Sequence, residues 1–112
     1  MRDDRAYLHH LLDAIGRIKA YTAGGKDRFL VEPIVQDAVI RNLEIIGEAV
    51  KNLSPEPRAR RPDVPWTQIA GMRDVLIHQY FGVNLETVWN VLVRRLPELR
   101  AAALGLLEEL GP

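Results

Sequence analysis

The sequence predicts an all-α protein, an antiparallel bundle of four to five helices forming one domain over residues 1–112. Three observations carry this expectation. Apolar residues recur at helical spacing along the whole chain. A glycine pair, a proline-rich stretch and a further glycine break separate the periodic stretches. No stretch alternates apolar and polar residues as a half-buried strand would. At 112 residues the chain is long enough for one hydrophobic core and too short for two.

The first helix is expected from about Asp4 to Ala23. Leu8, Leu11, Leu12, Ile15 and Ile18 form its apolar stripe, and Gly24-Gly25 stops it. Asp3 and Asp4 suit its N-terminus. A second helix starts near Glu32-Pro33, with proline in the first turn, and runs to Ser54-Pro55. Its apolar face is broad (Ile34, Val35, Ala38, Val39, Ile45, Ile46, Ala49, Val50 and Leu53), which suits a central position. Gly47 inside it costs about 1 kcal/mol relative to alanine, so close approach to another helix is the expected reason for it. From Pro55 to Pro65 the chain reads as a loop, because Pro55, Pro57, Pro62 and Pro65 oppose regular helix. Arg58, Arg60 and Arg61 make that loop basic. It is either a phosphate-contacting segment or, more simply, a solvated connector. A third helix follows from Pro65-Trp66 to about Tyr80 and is broken by Phe81-Gly82-Val83. Asn84 caps a fourth helix carrying Leu85, Val88, Trp89, Leu92 and Val93. Pro97 either kinks it or opens a fifth, with Leu99, Ala102, Ala103, Leu106, Leu107 and Leu110.

Composition narrows the function classes. Hydrophobic residues make up 47% and charged residues 27%, a globular balance. No apolar run is long enough for a membrane span, and Met1-Arg2-Asp3-Asp4 leads into charged sequence rather than a signal-type apolar stretch, so a cytoplasmic protein is expected. Without cysteine there is no disulfide frame and no thiolate metal site. A formal net charge of +0 argues against gripping nucleic acid by bulk electrostatics. Lys19, Lys26 and Lys51 are the only lysines. The positive charge is therefore mostly arginine, which binds phosphate bidentately but also follows from a GC-rich genome.

No glycine-rich phosphate loop and no His-Glu-x-x-His run is present, and no metal or other cofactor is expected. His9 and His10 are neighbours on the first helix, point about 100° apart, and read as surface residues. The third helix concentrates chemistry in Arg73-Asp74-Val75-Leu76-Ile77-His78-Gln79-Tyr80. Asp74 and His78 lie about 40° apart, so the carboxylate can orient the imidazole. Arg73 and Tyr80 lie about 20° apart, two turns along, whereas Arg73 and His78 are about 140° apart. One helix alone therefore does not build a compact site, and a second copy across a two-fold axis could complete it. These residue types match metal-free RNA cleavage. The ribose 2′-OH must lose a proton and the leaving 5′ oxygen must gain one, either of which a histidine can serve. Arginine stabilises charge on the phosphorane, and an aromatic can stack a base. By residue type alone, a salt-bridged helix surface is the commoner explanation of such a run.

The run and its flanks resemble the HepT-like toxins of the HEPN superfamily, whose motif is an arginine, four to six residues and a histidine. In the HepT version the motif reads Arg, four residues, His, one residue, Tyr. Arg73, His78 and Tyr80 match it, with Asp74 at a position where many relatives carry asparagine. Val39-Ile40-Arg41-Asn42-Leu43-Glu44-Ile45-Ile46-Gly47-Glu48-Ala49 is similar to the family's second helix. Trp66-Thr67-Gln68-Ile69-Ala70-Gly71-Met72, Tyr80-Phe81-Gly82-Val83 and Val88-Trp89 flank the motif as they do in relatives. The resemblance implies a HEPN-like fold, a homodimer or larger assembly with its site at the two-fold cleft, and metal-independent endoribonuclease activity of a bacterial toxin. It implies Arg73 and His78 as catalytic residues and Asp74 as a supporting one. It implies an MntA-like nucleotidyltransferase antitoxin as partner, which adenylylates the motif tyrosine, here Tyr80. Arg41 and Glu48 on the second helix could support the cleft or form an ordinary surface charge pair. The alternative reading is a non-catalytic helical module that docks a nucleotidyltransferase or a nucleotide.

Overall fold

The computed structural model describes residues 3–78 and 82–111, with His78 described by its backbone alone. Among the described residues there are seven helices and no strand: α1 (Asp4–Tyr21), α2 (Lys26–Val31), α3 (Pro33–Asn52), α4 (Pro55–Ala59), α5 (Trp66–His78), α6 (Leu85–Arg94) and α7 (Leu96–Leu110). The all-α expectation holds, and the five helices of ten residues or more are those read from the sequence.

Side-chain capping marks the ends of α1 and the start of α6. The Asp3 carboxylate accepts from the Ala6 N–H at 3.2 Å and starts α1. The Thr22 hydroxyl donates to the Ile18 carbonyl at 2.8 Å near its end, and Gly25 follows at φ 90°, in the left-handed region. The Asn84 side chain accepts from the Thr87 N–H at 3.1 Å, as a helix N-cap should. Pro97 sits in the first turn of a separate helix rather than kinking α6.

One boundary overturns an expectation. The proline-rich stretch after Ser54 is not all loop, because α4 forms there. Pro55 opens it and Pro57 lies in its first turn, where the missing N–H groups have no intrahelical partner to lose. Pro57 is buried. The other helix not foreseen, α2, is six residues long and buries only Phe29, whose ring packs on Trp89 at 5.5 Å. An element with one anchor shows no periodicity to read.

The broad apolar face of α3 is central. It packs most extensively on α1 and α5 and also meets α2, while α7 packs on α1 and α6. Leu8, Leu11 and Ile18 of α1 and Val39, Leu43, Ile46 and Val50 of α3 are essentially inaccessible to solvent. Each such side chain contributes about 1.5–3 kcal/mol on burial. Asn42 is the one buried polar side chain among the described residues. Its amide donates to the Ala38 carbonyl at 2.9 Å and its Oδ1 accepts from Arg17 Nε at 2.8 Å, which ties α1 to α3. The contacts of α5 are more one-sided, chiefly with α3. No helix among the described residues is long and apolar enough to cross a membrane.

Candidate active site

Helix α5 is anchored at its start by Trp66, which is buried and donates from Nε1 to the Arg61 carbonyl at 3.0 Å. Ile69 and Leu76 are buried and Met72 is packed against the core, which fixes the rotation of the helix. Arg73, next to Met72 and one turn beyond Ile69, falls at the edge of the packed face. There it meets Gly47. A Cβ built on Gly47 would lie 3.0 Å from Arg73 Cβ and 3.1 Å from the Ile69 carbonyl oxygen. The absent side chain lets α3 and α5 cross closely at the level of Arg73, as the sequence suggests for this glycine.

The Arg73 guanidinium is oriented by two carboxylates. Nε stands 3.0 Å from Glu48 Oε2 on α3, and Nη1 stands 3.2 Å from Asp74 Oδ1. Its side chain keeps 35% of its accessible surface, enough to reach a ligand. It lines a cavity of about 390 Å³ where α1, α3 and α5 meet, together with Tyr7, His10, Arg41, Glu44 and Ile77. Arg41 pairs loosely with Glu44 at 3.6 Å rather than with Glu48, so both polar groups singled out on this helix stand at the Arg73 cavity.

Of the expected site residues, Arg73 is at the cavity, and Asp74 pairs with Arg73 without lining the cavity itself. Ile77 lines the same cavity one position before His78, but the side chain of His78 and all of Tyr80 lie outside the described residues. Two residues were missed. Tyr7 and His10 of α1 wall the cavity, their rings 6.0 Å apart and perpendicular at 89°. His10 is exposed, as expected, and borders this hollow rather than open surface. Their i, i+3 spacing shows that they share a face of α1, but nothing local in the sequence places that face beside Arg73.

The basic stretch before α5 is structurally engaged. Arg60 donates from Nε to Glu56 at 2.8 Å and from Nη1 to Glu109 at 3.2 Å, and Arg61 pairs closely with Glu109 on α7. Neither arginine lines the Arg73 cavity. Hydrogen bonds from Arg61, then from Arg60, hold the Glu109 carboxyl below its usual range. Glu56 and Glu109 raise Arg60 in turn.

The comparisons point one way. A family model described as "Ribonuclease HepT-like" matches residues 11–104. A Methanocaldococcus jannaschii protein named "Gamma-glutamylcyclotransferase and putative RNase" is 44% identical over 110 residues. That match covers 97% of this chain but 50% of the relative, so this chain spans about half of the longer protein's length. A "Putative RNase" of Caldanaerobacter subterraneus subsp. tengcongensis is 42% identical over 97% of this chain and 98% of its own length. A "Probable ribonuclease HepT" of Thermococcus cleftensis is 40% identical over 88% of this chain and 91% of its own. No solved structure gives a significant match.

Proposed function

The chain belongs to the HepT-like ribonuclease family, and on that premise we propose that it is the RNA-cleaving toxin of a toxin–antitoxin pair, acting through Arg73 and His78. The observation that carries the reading is the half-exposed Arg73 guanidinium at the wall of a nucleotide-sized cavity, its orientation set by Glu48 and by the Gly47 crossing. A scissile phosphate bound there gains charge as the ribose 2′ oxygen attacks, and Arg73 stabilises that charge. His78 moves a proton, taking it from the 2′-OH or giving it to the departing 5′ oxygen. The products are a 2′,3′-cyclic phosphate and a free 5′-OH, and no metal is required for either transfer. Because five residues of helical spacing set Arg73 and His78 about 140° apart around one helix, the working cleft is completed by a second copy.

Control is exerted at Tyr80 by a nucleotidyltransferase antitoxin. The tyrosine oxygen attacks the α-phosphorus of ATP, pyrophosphate leaves, and the new AMP places bulk and negative charge where the RNA phosphate must lie. Support for this step is Tyr80's place in the family motif.

Cleavage of RNA by the purified protein in EDTA tests the reading. Arg73→Ala and His78→Ala are each expected to lower cleavage by at least about 10²-fold, with helical circular dichroism unchanged. Parental cleavage by His78→Ala would refute the assignment. The second reading, a non-catalytic docking module, draws on the two carboxylates already neutralising Arg73. It expects no cleavage by the parental protein under the same conditions.

A further inference from the structure

We propose that Tyr7 and His10 form a nucleobase subsite beside Arg73, so that the cavity takes one whole nucleotide of a single-stranded RNA. The phosphate lies on Arg73 and Arg41, and the base lies in the corner between the two rings. The identity of the ligand as RNA rests on the ribonuclease reading above. The subsite itself rests on four features of the cavity.

The first is size. About 390 Å³ falls within the range of small-ligand pockets, roughly 300–1,000 Å³, and exceeds what a phosphate alone needs. The second is the ring geometry. Two rings at 89° and 6.0 Å form a corner, one face for stacking and one edge for hydrogen bonding, which suits a planar heterocycle. The third is the difference between the rings. Tyr7 is packed against the hydrophobic core and is a firm platform, whereas His10 is exposed and makes no hydrogen bond among the described residues. Its ring nitrogens are therefore available to read a base edge. The fourth is charge. Arg41 projects from α3 with 72% of its side chain accessible, a second guanidinium on the same hollow as Arg73; Glu44 and Glu48 line it too, so a phosphate binds by sharing the arginines with them. A nucleotide needs cations at one end and an aromatic wall at the other, and unpaired RNA is recognised by this combination of stacking and edge contacts. Other hollows among the described residues differ. The one between α1 and α7, for example, is walled by Ile15, Ile18, Leu92 and Leu96, with no aromatic ring beside its Lys19 and Arg100.

The test uses the full chain and two probes. One is a fluorescein-labelled single-stranded 2′-deoxy oligonucleotide of mixed sequence, which binds but offers no 2′-OH for attack. The other is an RNA of the same sequence. Tyr7→Ala and His10→Ala are expected to weaken oligonucleotide binding, measured by anisotropy, about 5- to 100-fold each, the usual loss for one base stack. They are expected to raise KM for RNA more than they lower kcat, and His10→Ala is expected to change which base flanks the cut. Tyr7→Phe keeps the ring and is expected to bind more tightly than Tyr7→Ala. His10 is exposed, so its variant folds even if Tyr7→Ala loosens the core. Parental affinity and cut sites in His10→Ala would overturn the subsite while leaving the ribonuclease reading intact if RNA is still cleaved. Binding that depends on Tyr7 and His10 without RNA cleavage would uphold the subsite and refute the ribonuclease reading. Failure of the parental protein to bind the oligonucleotide would overturn the subsite.

Discussion

Arg73 carries Glu48 on Nε and Asp74 on Nη1, and an incoming phosphate must share or displace one of them. Glu48 comes from the neighbouring helix and fixes where the guanidinium points, whereas Asp74 occupies a nitrogen that a phosphate oxygen would use. Asp74 is 62% exposed, so its hold is weak, about 0–1 kcal/mol after solvent screening. Asp74→Asn removes the competing charge and is expected to tighten oligonucleotide binding about 2- to 5-fold, measured by anisotropy at low salt. Weaker binding in that variant would mean that Asp74 assists the ligand instead. Arg73 was legible in the sequence from its polar run and the family motif, and Arg41 and Glu48 as polar groups on an otherwise apolar helix. Tyr7 and His10 were not, because the Leu8, Leu11 and Ile18 stripe reveals the buried side of α1 but not which helix its polar flank faces.

At Gly47 two elements touch backbone to backbone. Gly47→Ala would gain about 1 kcal/mol of helix propensity, but overpacking against Arg73 Cβ and the Ile69 carbonyl costs about 1–3 kcal/mol. We expect a melting temperature lowered by several degrees and a larger loss of cleavage, since any shift of α5 moves Arg73. An unchanged melting curve would show that the helices separate freely. The close approach was legible because an interior glycine needs a reason. Helices α2 and α4 were not, because one buried residue in each, Phe29 and Pro57, leaves no pattern for a period to reveal. The α4–α7 junction carries its own test. Arg61 and Arg60 hold Glu109 below its usual range, so their stabilisation is present above the ordinary carboxylate pKa and is lost as pH falls through the lowered folded value. Glu109→Gln is expected to flatten that acid limb in melts recorded from neutral to acid pH. An unaltered limb would place the acid sensitivity in other carboxylates.

Across the whole molecule, the helices differ in how many sides are held. The fold class could be read from periodicity alone because the long helices each bury an apolar stripe; the one-sided support of α5 could not, since periodicity does not say which neighbours a helix meets. Its chief partner is α3, and Val75 and Ile77 keep 54% and 43% of their surface, large values for apolar side chains beside a candidate active centre. A helix attached on one side can open without the rest of the bundle. In native-state hydrogen exchange, the α5 amides should therefore gain deuterium through a low-energy local opening, while those of α1 and α3 wait for global unfolding. Association of two copies over α5 would slow exchange there and nowhere else as protein concentration rises, in step with a sedimentation shift from monomer to dimer. Exchange in α5 that ignores concentration, with sedimentation as a monomer throughout, would exclude a cleft shared between copies. The segment proposed to act on RNA is then also a helix held chiefly from one side in the free chain, and the deuterium label would record when it becomes covered.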